Sequence, residues 1–151
     1  VIPYFKESSK KGIIHITHKD MTRFNLTLIE SVKMVEWALQ NSVGGEIFVP
    51  KILSYKILDL AKAIGPDCKI KIVGVRTGEK IHEELISLGE SQSTIETNNY
   101  YIILPTTNKH HINLFKKKFK AKKINKEFSY RSNNNKFLSV KEIRSLIKNN
   151  K

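Results

Sequence analysis

The sequence predicts an α/β fold. Three observations carry it. Apolar residues recur at helical spacing in several windows, short runs alternate with period two, and Gly- or Pro-bearing breaks separate them. A chain of 151 residues with 40% apolar content has enough material for a real core. The elements follow in order. "IPYFKESSKK" reads as a short helix ending near Gly12, "GIIHIT" as a strand and "RFNLTL" as a second extended piece. From Thr27 to Asn41, Leu28, Val32, Val35 and Leu39 form one stripe of a helix, which Gly44-Gly45 ends. "EIFVP" is a short strand stopped by Pro50. Ser54 is expected to cap a helix that turns Ile57, Leu58, Ala61 and Ile64 inward, and Gly65-Pro66 stops it. "KIKIVGV" alternates as a strand, and "EKIHEELISL" is expected to be helical. "STIETNNYYIILP" holds one or two strands about an Asn98-Asn99 turn. Ser139 and Glu142 form a capping box that opens a terminal helix carrying Ile143, Leu146 and Ile147.

Charge is unevenly spread. The formal net charge is +13. Residues 107–151 contribute 14 basic and 2 acidic residues, hence +12, while residues 1–106 contribute 13 and 12, hence +1. Polyanion binding with Phe115 and Phe119 interleaved is one reading of the tail. The preferred one is a solvated Lys-rich helix or linker with both Phe on one face, because Lys lacks the planar fork of Arg. Nucleic acid is therefore disfavoured as a partner.

Other chemistry is excluded by what the sequence lacks. There is no Gly-x-Gly-x-x-Gly dinucleotide loop, no Walker loop and no Tyr-x-x-x-Lys pair. His15, His18 and Asp20 have no further ligand at metal spacing, and neither has His110-His111, so no metal is expected. His82-Glu83 lacks the second His of a zinc-protease helix. Cys68 is alone, which rules out an internal disulfide and suits a reducing, cytoplasmic setting. No apolar run approaches the roughly 20 residues of a membrane span, and no signal peptide is visible. The chain opens on an apolar pair without Met, as a piece of a longer chain would.

Two arginines remain in the near-neutral body, Arg23 and Arg76, each at a strand boundary beside turn residues. A guanidinium pairs bidentately with phosphate, and a nucleotide-sugar carries two phosphates. Gly78 permits a tight turn, and Glu79 and Glu83 would then complement the dipole of the following helix. Structural ion pairs, for instance with Glu79 or Asp20, explain the same arginines equally well from spacing alone.

Three blocks bear on that choice: "HKDMTRFNLTL" (His18 to Leu28), "GGEIFVPKILSYKILDLAKAI" (Gly44 to Ile64) and "KIVGVRTGEKIHEELI" (Lys71 to Ile86). They resemble the C-terminal half of the inverting UDP-N-acetylglucosamine 4,6-dehydratases, extended short-chain dehydrogenase/reductase enzymes of pseudaminic-acid and related polysaccharide pathways. The typical family blocks read Met-Thr-Arg-Phe, Gly-Glu-Ile-Phe-Val-Pro-Lys and Gly-Ile-Arg-Pro-Gly-Glu-Lys-Leu-His-Glu. "FSYRSNNNKFLSVKEIRSLI" is similar, more weakly, to the family's closing segment. The resemblance implies the substrate-binding part of such an enzyme, with the N-terminal Rossmann half missing and "EIFVP" returning to the parallel sheet. It implies that Thr17 and Arg23 lie near the substrate, that Arg76 meets the UDP phosphates, and that Ser132, Asn133, Asn134 and Asn135 form a closing loop. The family reaction oxidises the sugar C4 with NADP, eliminates water across C5–C6 and returns hydride to C6 with inversion at C5. Its catalytic groups and NADP loop belong to the missing half, so this piece alone is expected to be inactive. The implied partners are a UDP-sugar, that missing half and further copies in a homo-oligomer. An epimerase of the same superfamily is the nearest alternative. This sequence departs from the pattern at Thr77, Leu53 and Tyr55, where the family has Pro, Pro and Met, and by Asn for Asp in the closing loop. By composition and resemblance the chain divides into a sugar-nucleotide part (1–106), a basic segment (107–127) and a closing loop with a C-terminal helix (128–151).

Overall fold

The computed structural model describes residues 1–105, 108–124 and 126–149, and of His111 the backbone only. Part of the basic segment and the His111 side chain therefore lie outside the described residues. The chain runs α1 (Ile2–Ser9), β1 (Ile13–Ile16), β2 (Thr22–Phe24), α2 (Leu28–Asn41), β3 (Ile47–Pro50), β4 (Ser54–Lys56), α3 (Ile57–Ile64) and β5 (Lys69–Ile72). Then follow β6 (Glu84–Ile86), α4 (Leu88–Ser91), β7 (Thr94–Glu96), β8 (Tyr100–Ile103), α5 (Lys109–Phe119), β9 (Lys122–Lys123), β10 (Tyr130–Arg131) and α6 (Val140–Asn149). They form two compact units, each gathered from separated stretches.

The first unit comprises Val1–Asn25, Leu53–Glu83 and Ser132–Lys151. β1 pairs in parallel with β5, Ile14 opposite Ile70, and β2 pairs antiparallel with β4, Arg23 opposite Tyr55. Ile14 and Ile16 point into a core closed by Phe5, Leu60, Ala61 and Ile143. α3 buries Ile57, Leu60, Ala61 and Ala63, while Leu58 and Ile64 pack at its margin. The Ser139–Glu142 capping box forms as expected and starts α6. Ser54, however, is a β4 residue and not a helix cap. Its backbone pairs with Lys136 and Leu138, and its hydroxyl accepts the Asn135 amide at 3.0 Å. That pairing holds residue 54 extended, so α3 starts only at Ile57.

The second unit comprises Leu26–Ile52 and Glu84–Arg131. Its sheet is antiparallel in the order β3-β8-β7-β9. The expected Asn98-Asn99 turn joins β7 to β8, closed by the Thr97 N–H to Tyr100 carbonyl bond at 2.8 Å. β3 pairs antiparallel with β8, so the parallel pairing expected of "EIFVP" is not among the described contacts. α2 starts at a capping box between Thr27 and Glu30. Its inner side lays Trp37 on Tyr100, centroids 4.4 Å apart and nearly coplanar, and edge-on against Phe48 at 5.0 Å. α5 adds the buried Phe115 and the half-buried Phe119 to a cluster with Ile95, Ile102 and Leu104. The two Phe of the basic segment are thus core residues on one helix face, as the solvated-helix reading expected.

The helix expected over "EKIHEELISL" does not form. Residues 79–83 are irregular, β6 pairs with β10, and α4 begins at Leu88 behind a Ser87–Glu90 capping box. The carbonyls such a helix would need are taken by long-range donors. Those of Lys80 and Ile81 accept from Arg23, that of Ile81 also from the Thr22 N–H, and that of Glu83 from the Ser132 N–H. "KIKIVGV" likewise ends as a strand at Ile72, one Val73 N–H to Ile16 carbonyl bond beyond it.

Candidate functional site

The site is built within the first unit, on the turn after β5. The Glu79 N–H donates to the Arg76 carbonyl at 3.0 Å, and Gly78 takes φ +79°. That is the geometry of a type II turn, with Thr77 at its first central position and glycine where a positive φ is required. The Glu79 carboxylate accepts the Arg76 N–H at 3.2 Å from across the turn. Arg76 and Glu79 are thereby carried to the rim of a cleft of about 300 Å³, at the lower end of the range for ligand pockets. Its apolar wall is Tyr4, Phe5, Met21, Ile57 and Val73; Thr17, His15 and Arg23 supply polar groups.

The two arginines do different work. Arg23 is braced: its guanidinium donates to the carbonyls of Thr22 at 2.7 Å, Lys80 at 2.8 Å and Ile81 at 3.2 Å, and faces Glu83 at 3.5 Å. Neither Asp20 nor Glu79, the acids considered from sequence, is its partner. Across β2–β4, burial pushes the Tyr55 phenol up, with the Arg23 charge opposing. The Arg76 guanidinium, by contrast, has no hydrogen bond or ion pair among the described residues. It is the cation in the cleft with its fork available.

A buried polar clasp fixes the far end of the same segment. The Thr22 hydroxyl lies 2.9 Å from His82 Nδ1 and 2.7 Å from Ser132 Oγ, and Ser132 Oγ accepts the Glu83 N–H at 2.9 Å. Ser132 is fully buried, so its side chain is spent on this clasp. Thr17 lines the cleft and donates to the Met21 sulfur at 3.2 Å. In the closing loop Asn133 and Asn134 are exposed and Asn135 is tied to Ser54. The structure thus brings Thr17, Arg23 and Arg76 to one cleft, while Ser132 and Asn135 anchor the closing loop. Sequence reading missed Thr22 and His82, because nothing in local spacing shows that residues 60 and 110 positions apart share one hydrogen-bond chain.

No group of three or more His, Cys, Asp or Glu fit for a metal occurs among the described residues. His18 Nδ1 accepts the Asp20 N–H at 3.2 Å, and Cys68 reaches the Ser9 carbonyl at 3.5 Å. Nor do the residues fit a dinucleotide. The positive-φ glycines, Gly12, Gly44, Gly45, Gly74 and Gly78, lie between helices and strands, and none opens a helix at a strand end. Among the described residues no helix is long and apolar enough to cross a membrane.

A mixed α/β chain with this arrangement is a part of an extended short-chain dehydrogenase/reductase. It belongs to the polysaccharide biosynthesis protein family, whose model matches residues 1–105. A UDP-N-acetylglucosamine 4,6-dehydratase (inverting) of Campylobacter jejuni is 42% identical over 97% of this chain and 46% of its own length. A UDP-glucose 4-epimerase of Rickettsia canadensis is 34% identical, covering 97% and 44%. Pen from Bacillus thuringiensis superposes with a TM-score of 0.82 at 31% identity, covering 99% of this chain and 45% of that one. The chain therefore spans about half the length of the curated relatives it matches.

Proposed function

We propose that the cleft of the first unit binds the UDP moiety of a nucleotide-sugar, as the substrate-binding part of a C5-inverting UDP-N-acetylglucosamine 4,6-dehydratase. One observation carries the reading: Arg76, alone of the two body arginines, presents an unpaired guanidinium at the cleft. There it meets the diphosphate by charge-assisted hydrogen bonds. Arg23 acts on the ligand indirectly, by holding residues 80–83 and so the base of the Arg76 segment. Thr17 faces the sugar side, and Asn133 and Asn134 close over it from a loop that Ser132 and Asn135 anchor. NADP and the proton-transferring groups belong to the half this chain does not span, so the chain alone turns over no substrate. The complete enzyme is a homo-oligomer, cytoplasmic as the free Cys68 suits, and serves polysaccharide or pseudaminic-acid synthesis.

The test is a titration of the chain with UDP and UDP-N-acetylglucosamine, followed by amide chemical shifts. Perturbations should centre on residues 15–17, 73 and 76–79. Arg76→Ala should weaken binding by about 2–3 kcal/mol without moving the urea midpoint. Binding that is indifferent to this change would sink the assignment. The epimerase relatives support a second reading, UDP-hexose epimerisation. Product analysis of the chain fused to the remaining half of the Campylobacter enzyme separates a dehydrated 4-keto sugar from a C4 epimer.

A further inference from the structure

In the second unit, positive charge is concentrated and largely unpaired. Residues 97–126 hold eight lysines, no arginine and no acid. Lys109, Lys117, Lys118, Lys120, Lys122 and Lys123 are exposed, and none of the six forms a salt bridge among the described residues. Lys118 alone of them has a charge partner at longer range, Glu46. α5 turns Ile112, Phe115 and Phe119 to the core. At about 3.6 residues per turn Lys117 falls opposite that face, with Leu114 beside it, 54% exposed, and Lys109 and Lys118 on its flanks. The chain leaves the helix through Lys120, left-handed at φ 50°, and Lys122 and Lys123 follow on β9, the end strand of the sheet. Stability does not ask for this pattern. Lysines in the last turn of α5 suit the helix dipole, but Lys109 stands in the first turn, where an acid is favoured and none is present. Lysines on β9 guard an open sheet edge, which leaves those on α5 unexplained. Like charges gathered this way repel one another in the folded chain.

We propose that this face of the second unit binds an anionic membrane surface, with α5 lying along the headgroup layer. Net charge alone suggests nucleic acid as readily; the placement of the side chains favours lipid. Phe115 and Phe119 are turned to the core and offer no ring for a base to stack on. Residues 77–130 contain no arginine, so no planar fork is there to read a base edge or to clamp a phosphate. The residue bare among the cations is apolar: Leu114 lies three and four positions from Lys117 and Lys118, hence on the same side of the helix. A leucine there has no partner on a phosphate backbone, whereas at a bilayer it enters the boundary between headgroups and acyl chains. A cluster of about four to eight lysines is the size that holds a protein at an anionic leaflet, each tightening binding about fivefold. The inference uses no residue of the cleft and does not rest on the UDP reading, so either can fail alone.

The experiment sediments the full chain with vesicles of phosphatidylcholine alone and with vesicles holding an equal part of phosphatidylglycerol. The variant is Lys109→Gln, Lys117→Gln and Lys122→Gln together. All three side chains are exposed, so its circular dichroism and urea midpoint should be unchanged. The expected result is binding to the anionic vesicles only, weakened about a hundredfold in the variant and screened as salt rises from about 50 to 200 mM. Leu114→Ser should weaken it several-fold at unchanged charge. No binding to the anionic vesicles, equal binding to the neutral ones, or indifference to either variant overturns the proposal. So does tighter binding to duplex DNA at matched phosphate concentration, since the partner is then a nucleic acid.

Discussion

At the scale of single residues, the informative contrast is between Arg23 and Arg76. Both stood in the sequence as isolated arginines at strand boundaries, and spacing left a ligand role and a structural role balanced. The structure separates them by what each guanidinium already holds: three carbonyls and Glu83 for Arg23, nothing among the described residues for Arg76. Arg23→Ala should therefore destabilise the chain by about 1–3 kcal/mol, since charged hydrogen bonds are lost and carbonyls are left short of a donor. Arg76→Ala should leave stability unchanged; urea denaturation of the two variants distinguishes them. Sequence could show both arginines but not this difference, which depends on carbonyls 57 and 58 positions away from Arg23. The core outcome was more legible. Phe115 and Phe119 were readable as one face of a helix, and Phe115 is 6% exposed. Phe115→Ala should cost about 3–5 kcal/mol, seen as a lowered urea midpoint.

At the scale of elements, the Arg76–Glu79 turn shows how one departure from family pattern acts. Thr77 occupies the position where proline presets φ, and its N–H has no acceptor among the described residues. Thr77→Pro should thus raise stability by about 0.4–1 kcal/mol by restricting the unfolded chain, read from thermal or urea unfolding. Gly78→Ala should lower it by about 1–2 kcal/mol, because no atom crowds the site and only the positive φ resists. The capping boxes carry a pH signature. Hydrogen bonds from the Ser139 and Ser87 hydroxyls and backbones hold the Glu142 and Glu90 carboxyls below their ordinary value. A lowered folded-state pKa contributes stability above the unfolded value, about 4.3, and loses it as pH falls through the lower folded value. The loss of stability on Ser139→Ala should accordingly be larger at pH 7 than at pH 3. The Ser139–Glu142 box, the α2 boundaries and the β7–β8 turn were legible because their signals are local. The helix expected over residues 79–88 failed because its signal was local too, and long-range donors took its carbonyls.

At the scale of the whole molecule, the basic tail is where composition misdirects most. Of the basic residues behind the +12 of residues 107–151, Lys109, Lys116, Lys117 and Lys118 lie on α5, which also carries Phe115 and Phe119 into the core. A deletion of residues 107–126 would therefore remove Phe115 and Phe119 along with the lysines. Replacing Lys116, Lys117 and Lys118 by Ser is the cleaner test, and it should leave UDP binding unchanged in a titration at fixed ionic strength. What the sequence could not convey at this scale is the interleaving: each compact unit is assembled from separated stretches, and linear composition cannot report which stretches meet. The clasp of Thr22, His82 and Ser132 has a consequence of this kind. Ser132 Oγ accepts the Glu83 N–H and keeps a second lone pair, so the Thr22–Ser132 bond can run in either direction. With a neutral ring that accepts at Nδ1, protons point from Ser132 to the Thr22 hydroxyl and on to His82. With a hydrogen on Nδ1 the order reverses, and the Ser132 hydrogen turns to the Thr22 carbonyl, 3.3 Å away. The chain of bonds thus has a direction, set by whether His82 Nδ1 carries a hydrogen, and hydroxyl rotation alone carries that choice through three distant segments.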